Sequence, residues 1–118
     1  MGLFGVDIRV AHPDGTEART VDALVDTGAL YTTVPGSMLK EIGVEPKETR
    51  AFELADGSTV EFELGSAIVS INGRQALTVV AFGPEDTEPL LGAMALQQME
   101  LAIDMSGEML VDGRRLRM

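Results

Sequence analysis

One stretch of this chain carries a residue set suited to acid–base chemistry: Asp26-Thr27-Gly28-Ala29, preceded by Ala23-Leu24-Val25 and followed by Thr33-Val34-Pro35. The apolar run ending at Val25 reads as a strand directed into a core. The carboxylate after it is therefore predicted to sit at a strand-to-turn junction, partly shielded from water. An acid so placed must be hydrogen-bonded or stay neutral. Gly28 lets the backbone fold against the Asp26 side chain, so that a main-chain N–H can point at a carboxylate oxygen. The Thr27 hydroxyl can both donate and accept. The same tripeptide also suits a plain Asx turn completed by glycine, and taken alone it leaves both readings open.

The elements that must hold this loop are predicted to be mostly strands. Val6, Ile8 and Val10 alternate with Asp7 and Arg9, and Pro13-Asp14-Gly15 turns into a second strand from Ala18 to Val25. Residues 36 to 42 read as a short helix, with Ser37 near its start and Gly43 at its end. Pro46 opens a linker. From Phe52 a period of two returns: Phe52 and Leu54 against Glu53, then Val60, Phe62 and Leu64 against Glu61 and Glu63, with Gly65 ending the alternation. Asp56-Gly57 is a hairpin signal within that stretch, and Asn72-Gly73 is a second one, joining Ala67–Ile71 to Gln75–Phe82. Gly83 to Glu88 reads as an acidic loop. A second short helix is predicted through Ala95, Leu96 and Met99, and a last hairpin pairs Leu101–Asp104 with Met109–Val111 across Ser106-Gly107-Glu108. Short strands with frequent turns predict an all-β fold, a small closed β barrel with one or two short helices. The 118 residues form one domain, 1–118, long enough to bury a core without disulfides or metals.

Further along the chain, Glu88-Pro89-Leu90-Leu91-Gly92-Ala93-Met94 runs two large apolar residues into a glycine. With Asp26-Thr27-Gly28-Ala29, this makes the chain, over roughly residues 3 to 112, resemble the retropepsin-like aspartic proteases, specifically the small single-lobe prokaryotic type. In that family the active-site motif reads Asp-Thr/Ser-Gly-Ala, and a hydrophobic-hydrophobic-Gly element packs beside the active-site loop; the matching positions are Asp26 to Ala29 and Leu90 to Gly92. Leu54-Ala55-Asp56-Gly57-Ser58-Thr59-Val60 looks like the family's flap, a hairpin that closes over bound peptide. The resemblance thus implies Asp26, Thr27 and Gly28 as catalytic residues and Ala29, Ala55, Asp56, Gly57 and Ser58 as contacts to substrate. Leu30 and Tyr31 depart from the family, which commonly has a small residue in this neighbourhood. Tyr31 is expected to pack under the loop.

Aspartic chemistry needs two carboxylates sharing one proton, because like charges in contact cannot both ionise. The chain contains one Asp-Thr-Gly, so the second carboxylate must come from another copy, and a twofold homodimer places Asp26 beside its mate. The resemblance implies hydrolysis of a peptide or protein substrate by activated water, with no cofactor and no covalent intermediate. A second reading keeps the fold and the dimer as a non-catalytic binding or scaffolding module, with Asp26 structural. Nucleophilic alternatives are poorly supplied: there is no Cys, and the single His12 lies in the turn Ala11-His12-Pro13-Asp14-Gly15 and reads as exposed. No His/Cys cluster suggests a metal site.

Nineteen acids against nine bases give a net charge of −10, which argues against nucleic acid and anionic membranes as partners. The basic group Arg114, Arg115 and Arg117 reads as a solvated tail or a dimer edge. The first residues carry no basic start and are broken by Asp7 and Arg9, so no signal peptide is predicted. No apolar run is long enough to span a bilayer. A Cys-free chain fits a reducing, cytoplasmic location. Met94, Met99, Met105, Met109 and Met118 are expected to fill gaps in the core.

Overall fold

The computed structural model describes residues 4–113, and strands dominate them. β1 (Gly5–Ala11) and β2 (Ala18–Val25) form the first antiparallel hairpin, and β3 (Thr32–Pro35) runs straight into α1 (Gly36–Glu41). β4 (Glu48–Glu53), β5 (Thr59–Ile71) and β6 (Arg74–Gly83) follow as a meander. The two-residue β7 (Leu90–Leu91) precedes α2 (Ala93–Gln98), and β8 (Leu101–Asp104) with β9 (Met109–Asp112) makes a separate hairpin.

The main sheet has the order β1-β2-β7-β3-β6-β5-β4, and β1 also pairs with β5, Arg9 opposite Ser70. That last pairing closes the sheet on itself, so the predicted all-β barrel is the architecture found. β5 permits it by its length: one edge takes β6 from Leu64 to Ile71, while the other takes β4 over Thr59–Leu64 and β1 over Ile68–Ser70. Closure leaves fewer unpaired edges than an open sheet would. Inside it lie Ile8, Val10, Val25, Val34, Leu39, Ile42, Val69, Val80, Leu91 and Leu96, all buried. Each such side chain contributes about 1.5–3 kcal/mol by leaving water.

Several sequence expectations are corrected here. The clean alternation does end at Gly65, as read, but β5 runs on through it with its buried face switched to Ala67, Val69 and Ile71; a Cβ at Gly65 would lie 2.8 Å from the Glu45 carbonyl oxygen, so the glycine marks a close approach of the 44–47 segment to an unbroken strand. Ser37 does not cap α1. Pro35 holds the cap position, which puts Ser37 inside the first turn, where its hydroxyl donates to Glu85 Oε1 at 2.5 Å. The acidic loop is thereby tied to the start of the helix, where negative charge is favoured. His12 is half-buried rather than exposed, because its ring packs against Gly43 and its Nδ1 lies 2.9 Å from Asp14 Oδ1. Met99 is buried and Met94 packs in the core as expected, whereas Met105 and Met109 are exposed at the turn end of β8–β9, which among the described residues pairs with no other strand.

That hairpin is held by Arg74, at the start of β6. Its Nη1 donates to the carbonyls of Met99 at 3.0 Å and Glu100 at 2.8 Å, and its Nη2 lies 3.3 Å from Asp112 Oδ2. The expected basic tail Arg114, Arg115 and Arg117, together with Met118 and residues 1–3, lies outside the described residues. Among the described residues no helix is long and apolar enough to cross a membrane.

Candidate active site

Asp26 is the first residue beyond β2 and is half-buried, as its position after a buried Val25 predicts. Three main-chain bonds fix the strand end: Leu24 N–H to Pro89 O at 2.9 Å, Val25 N–H to Phe4 O at 2.8 Å and Asp26 N–H to Leu91 O at 3.0 Å. β7 therefore runs parallel to the end of β2, Leu24 beside Leu90 and Val25 beside Leu91. Beyond it the chain turns. Gly28 donates its N–H to Asp26 Oδ1 at 2.9 Å, the bond expected of a glycine at that position, and Ala29 N–H reaches Asp26 O at 3.2 Å. These bonds orient the carboxylate and leave Thr27 and Gly28 exposed at the top of the loop.

The loop rests on the segment after β7. Ala93 N–H donates to Ala29 O at 2.8 Å and Met94 N–H to Leu30 O at 3.0 Å, so the first turn of α2 is closed by carbonyls of the 26–31 loop. Gly92 N–H donates to the buried Thr32 Oγ1 at 3.1 Å. Packing here is main chain on main chain: a Cβ on Gly92 would meet Tyr31 C at 2.6 Å, Tyr31 O at 2.7 Å and Leu30 O at 2.9 Å. Leu90-Leu91-Gly92 thus packs beside the 26–31 loop, as the resemblance implied. Thr32 was missed in the sequence, where a threonine at a strand start reads simply as a β former.

Beside the loop opens a pocket of about 430 Å³, lined by Gly28, Ala29, Leu30, Tyr31, Thr33, Phe52, Leu54, Phe62 and Ala81. Of the expected substrate contacts, Ala29 is in this wall; Ala55, Asp56, Gly57 and Ser58 are not. They form the tip of the β4–β5 hairpin, closed by Leu54 N–H to Ser58 O at 2.7 Å and Gly57 N–H to Leu54 O at 2.9 Å, with Gly57 at φ 87°. The Asp56 carboxylate turns back on this tip. It accepts from Ser58 Oγ at 2.5 Å and Ser58 N at 2.9 Å, and these bonds, the hydroxyl's foremost, hold its pKa below the ordinary carboxylate value. The hairpin gives the pocket Phe52, Leu54 and Phe62 instead, the inward residues of the period-two pattern. That alternation was visible in the sequence, but nothing local to it says which loop its apolar face meets.

Residues 16–98 match the family described as "gag-polyprotein putative aspartyl protease". No curated protein matches the chain. Among solved structures, the simian foamy virus (mac) protease in solution is similar with a TM-score of 0.53 at 20% identity, over 78% of this chain and 92% of that one. The EIAV protease complexed with the inhibitor HBY-793 is similar with a TM-score of 0.54 at 19% identity, over 79% of this chain and 84% of that one. At such identities the likeness is one of fold, and the fold is that of retropepsin-like aspartic proteases.

Proposed function

Because the chain belongs to the gag-polyprotein aspartyl protease family, we propose that it is an aspartic endopeptidase whose catalytic dyad is formed by Asp26 of two copies. The observation that carries the reading is the placement of that carboxylate: half-buried, oriented by Gly28 N–H at 2.9 Å, and next to a pocket whose wall begins at Gly28 and Ala29.

A closed twofold dimer sets the same loop of each copy face to face, and two carboxyls so paired hold a single proton between them. Ionised Asp26 takes a proton from water as the water oxygen bonds to the scissile carbonyl carbon. Its protonated mate gives a proton to the carbonyl oxygen. On collapse the C–N bond breaks, the proton held by the first carboxyl passes to the leaving nitrogen, and the second carboxylate recovers a proton from the gem-diol. No covalent bond to the enzyme forms, and no cofactor is required. In this reading Thr27 and Gly28 shape the catalytic turn, Ala29 lies along the substrate, and Ala55, Asp56, Gly57 and Ser58 are the tip of a flap over it. The substrate is a peptide or protein, and the homodimer is the active species. The net charge of −10 argues against nucleic acid and anionic membranes as partners, and the lack of Cys suits the cytoplasm.

The test is cleavage of a diverse peptide library between about pH 3 and 7, the range over which a shared carboxylate pair changes protonation, by wild type and Asp26→Asn side by side. Cleavage lost in the variant, and specific activity that falls on dilution toward the dimer dissociation constant, are the expected results. Folded, dimeric protein that cleaves nothing would leave the binding-module reading instead.

A further inference from the structure

Tyr31 stands where the loop from Asp26 enters β3, and its side chain is almost entirely buried. Its ring meets Phe52 of β4 edge-on, with centroids 6.1 Å apart, and Phe52 in turn meets Phe62 of β5 at 5.7 Å. Its hydroxyl accepts a hydrogen bond from Arg50 Nη1 at 2.6 Å, while Arg50 Nη2 donates to Glu48 Oε1, also at 2.6 Å. Arg50 and Phe52 are two apart in β4 and so face the same way, and Arg50 lies directly opposite Phe62 in the β4–β5 register. One face of the hairpin therefore brings a guanidinium and the Phe52 ring, backed by Phe62, onto a single residue of the loop after Asp26.

The two kinds of contact differ in what they fix. Aromatic edges hold surfaces together but slide with little cost, whereas a short charge-assisted hydrogen bond fixes both distance and direction. The guanidinium carbon is 5.9 Å from the Tyr31 centroid, at the outer limit of a cation–π contact. Its bond to the hydroxyl sets the charge beyond the ring's hydroxyl end, so the hydrogen bond is the directional part.

The pocket lies between the parts so joined. Its lining holds two side-chain hydroxyls, and both are turned to the protein: Tyr31 to Arg50, and Thr33 Oγ1 to the Tyr31 carbonyl at 3.3 Å. The other side chains in the wall, Ala29, Leu30, Phe52, Leu54, Phe62 and Ala81, are carbon throughout.

We propose that Arg50 is a positioning residue: by holding the Tyr31 hydroxyl it sets the separation of the active-site loop from the β4–β5 hairpin, and with it the width of a pocket for one large apolar substrate side chain. This rests on the peptidase reading and deepens it. Asp26 is oriented by the Gly28 N–H and by Leu91 O, and neither of these groups bonds to the Tyr31 hydroxyl or to Arg50. Loosening the clasp therefore weakens binding of the apolar side chain and leaves the chemical step alone.

The experiment uses Tyr31→Phe, which keeps the ring, Arg50→Met, which changes a half-exposed residue, and the double variant. Kinetics are read on matched peptides from the cleaved set carrying phenylalanine or glutamate at the selected position. Loss of one charge-assisted bond at a partly exposed site predicts a KM about fivefold higher for the phenylalanine peptide, kcat within about twofold, and a smaller preference for phenylalanine over glutamate. The double variant is no worse than either single one, since both remove the same bond. Without any peptide, the amides of Leu54 and Gly57 exchange faster with solvent in Tyr31→Phe than in wild type. Unchanged KM and selectivity, additive single effects, or an equal loss in kcat overturn the proposal. A wild type that cleaves no peptide brings down the peptidase reading; unchanged amide exchange then brings down the clasp as well, while faster exchange leaves it standing as a property of the groove.

Discussion

Replacing Gly92 by alanine tests whether the segment after β7 holds the 26–31 loop. Gly92 has φ −89° and ψ 171°, ordinary for any residue, so alanine meets no backbone penalty there. The cost is steric. The added Cβ would lie 2.6, 2.7 and 2.9 Å from Tyr31 C, Tyr31 O and Leu30 O, main-chain atoms that cannot rotate aside as the end of a side chain can. Relief requires moving α2 away from the loop, which stretches the bonds Ala93 N–H to Ala29 O, Met94 N–H to Leu30 O and Gly92 N–H to Thr32 Oγ1. Overpacking costs about 1–3 kcal/mol, and each weakened bond up to about 1 kcal/mol more, so a total near 3 kcal/mol is expected. The assay is equilibrium urea unfolding at matched protein concentration, since the midpoint of any self-associating protein depends on it. At a slope of about 2 kcal/mol per molar, the midpoint falls by about 1.5 M. Gly57→Ala is the control: nothing lies within 4 Å of its Cβ, but its φ of +87° is left-handed, and the cost is about 1 kcal/mol. A Gly92→Ala midpoint shifted no further than that of Gly57→Ala would refute the account of how the loop is held.

Two further outcomes follow from side-chain bonds. Asp56 is held below its ordinary value of 3.8 first by the Ser58 hydroxyl and then by the Ser58 N–H, so Ser58→Ala raises its pKa part of the way back, as read by NMR titration. The sign for stability is that of any depressed carboxyl: the wild-type advantage over Ser58→Ala is present above pH 3.8 and fades as pH falls through the folded pKa. An Asp56 pKa that does not move in the variant would refute the assignment. Arg74→Met removes its bonds to the carbonyls of Met99 and Glu100 and its ion pair with Asp112, so amide exchange across β8–β9 accelerates while the barrel amides keep their protection. Uniform acceleration over the whole chain would show instead that the hairpin is part of the barrel's cooperative unit.

What the sequence disclosed was what neighbouring residues decide. The alternation Phe52, Leu54, Val60, Phe62, Leu64 marked the inner face of the β4–β5 hairpin because strand faces have a period of two. Asn72-Gly73 marked the β5–β6 turn because both positions take positive φ, 49° and 84°. The Asp26 turn was legible for the same reason, its defining bond running only from Gly28 back to Asp26. What stayed hidden was decided at a distance. Leu90 and Leu91 are too few to show strand periodicity, and they become a strand by pairing with β2 on one side and β3 on the other. The pocket wall was hidden likewise: the hairpin tip faces its own carboxylate, and Phe52, Leu54 and Phe62 meet Tyr31 and its neighbours only once the barrel has closed. Ser37 stands near the start of α1 as read, but the partner of its hydroxyl was hidden because Glu85 lies in a loop far along the chain.

β7 also orders events in time. The hairpins β1–β2, β4–β5 and β5–β6 join neighbours in the chain and can form early, but Leu24 cannot find Leu90 until the whole intervening chain has been gathered. Closing a loop of that length costs roughly 3–4 kcal/mol in chain entropy, and two residues of strand repay little of it before α2 docks. Insertion of β7 between β2 and β3 is therefore expected to be a late step of folding. It is also the step that supplies Leu91 O to Asp26 and sets Gly92 beneath Tyr31. A half-folded chain thus already carries Asp26 but not the floor beneath it, so on the peptidase reading proposed above a newly made molecule could not cut its neighbours until its own barrel is complete.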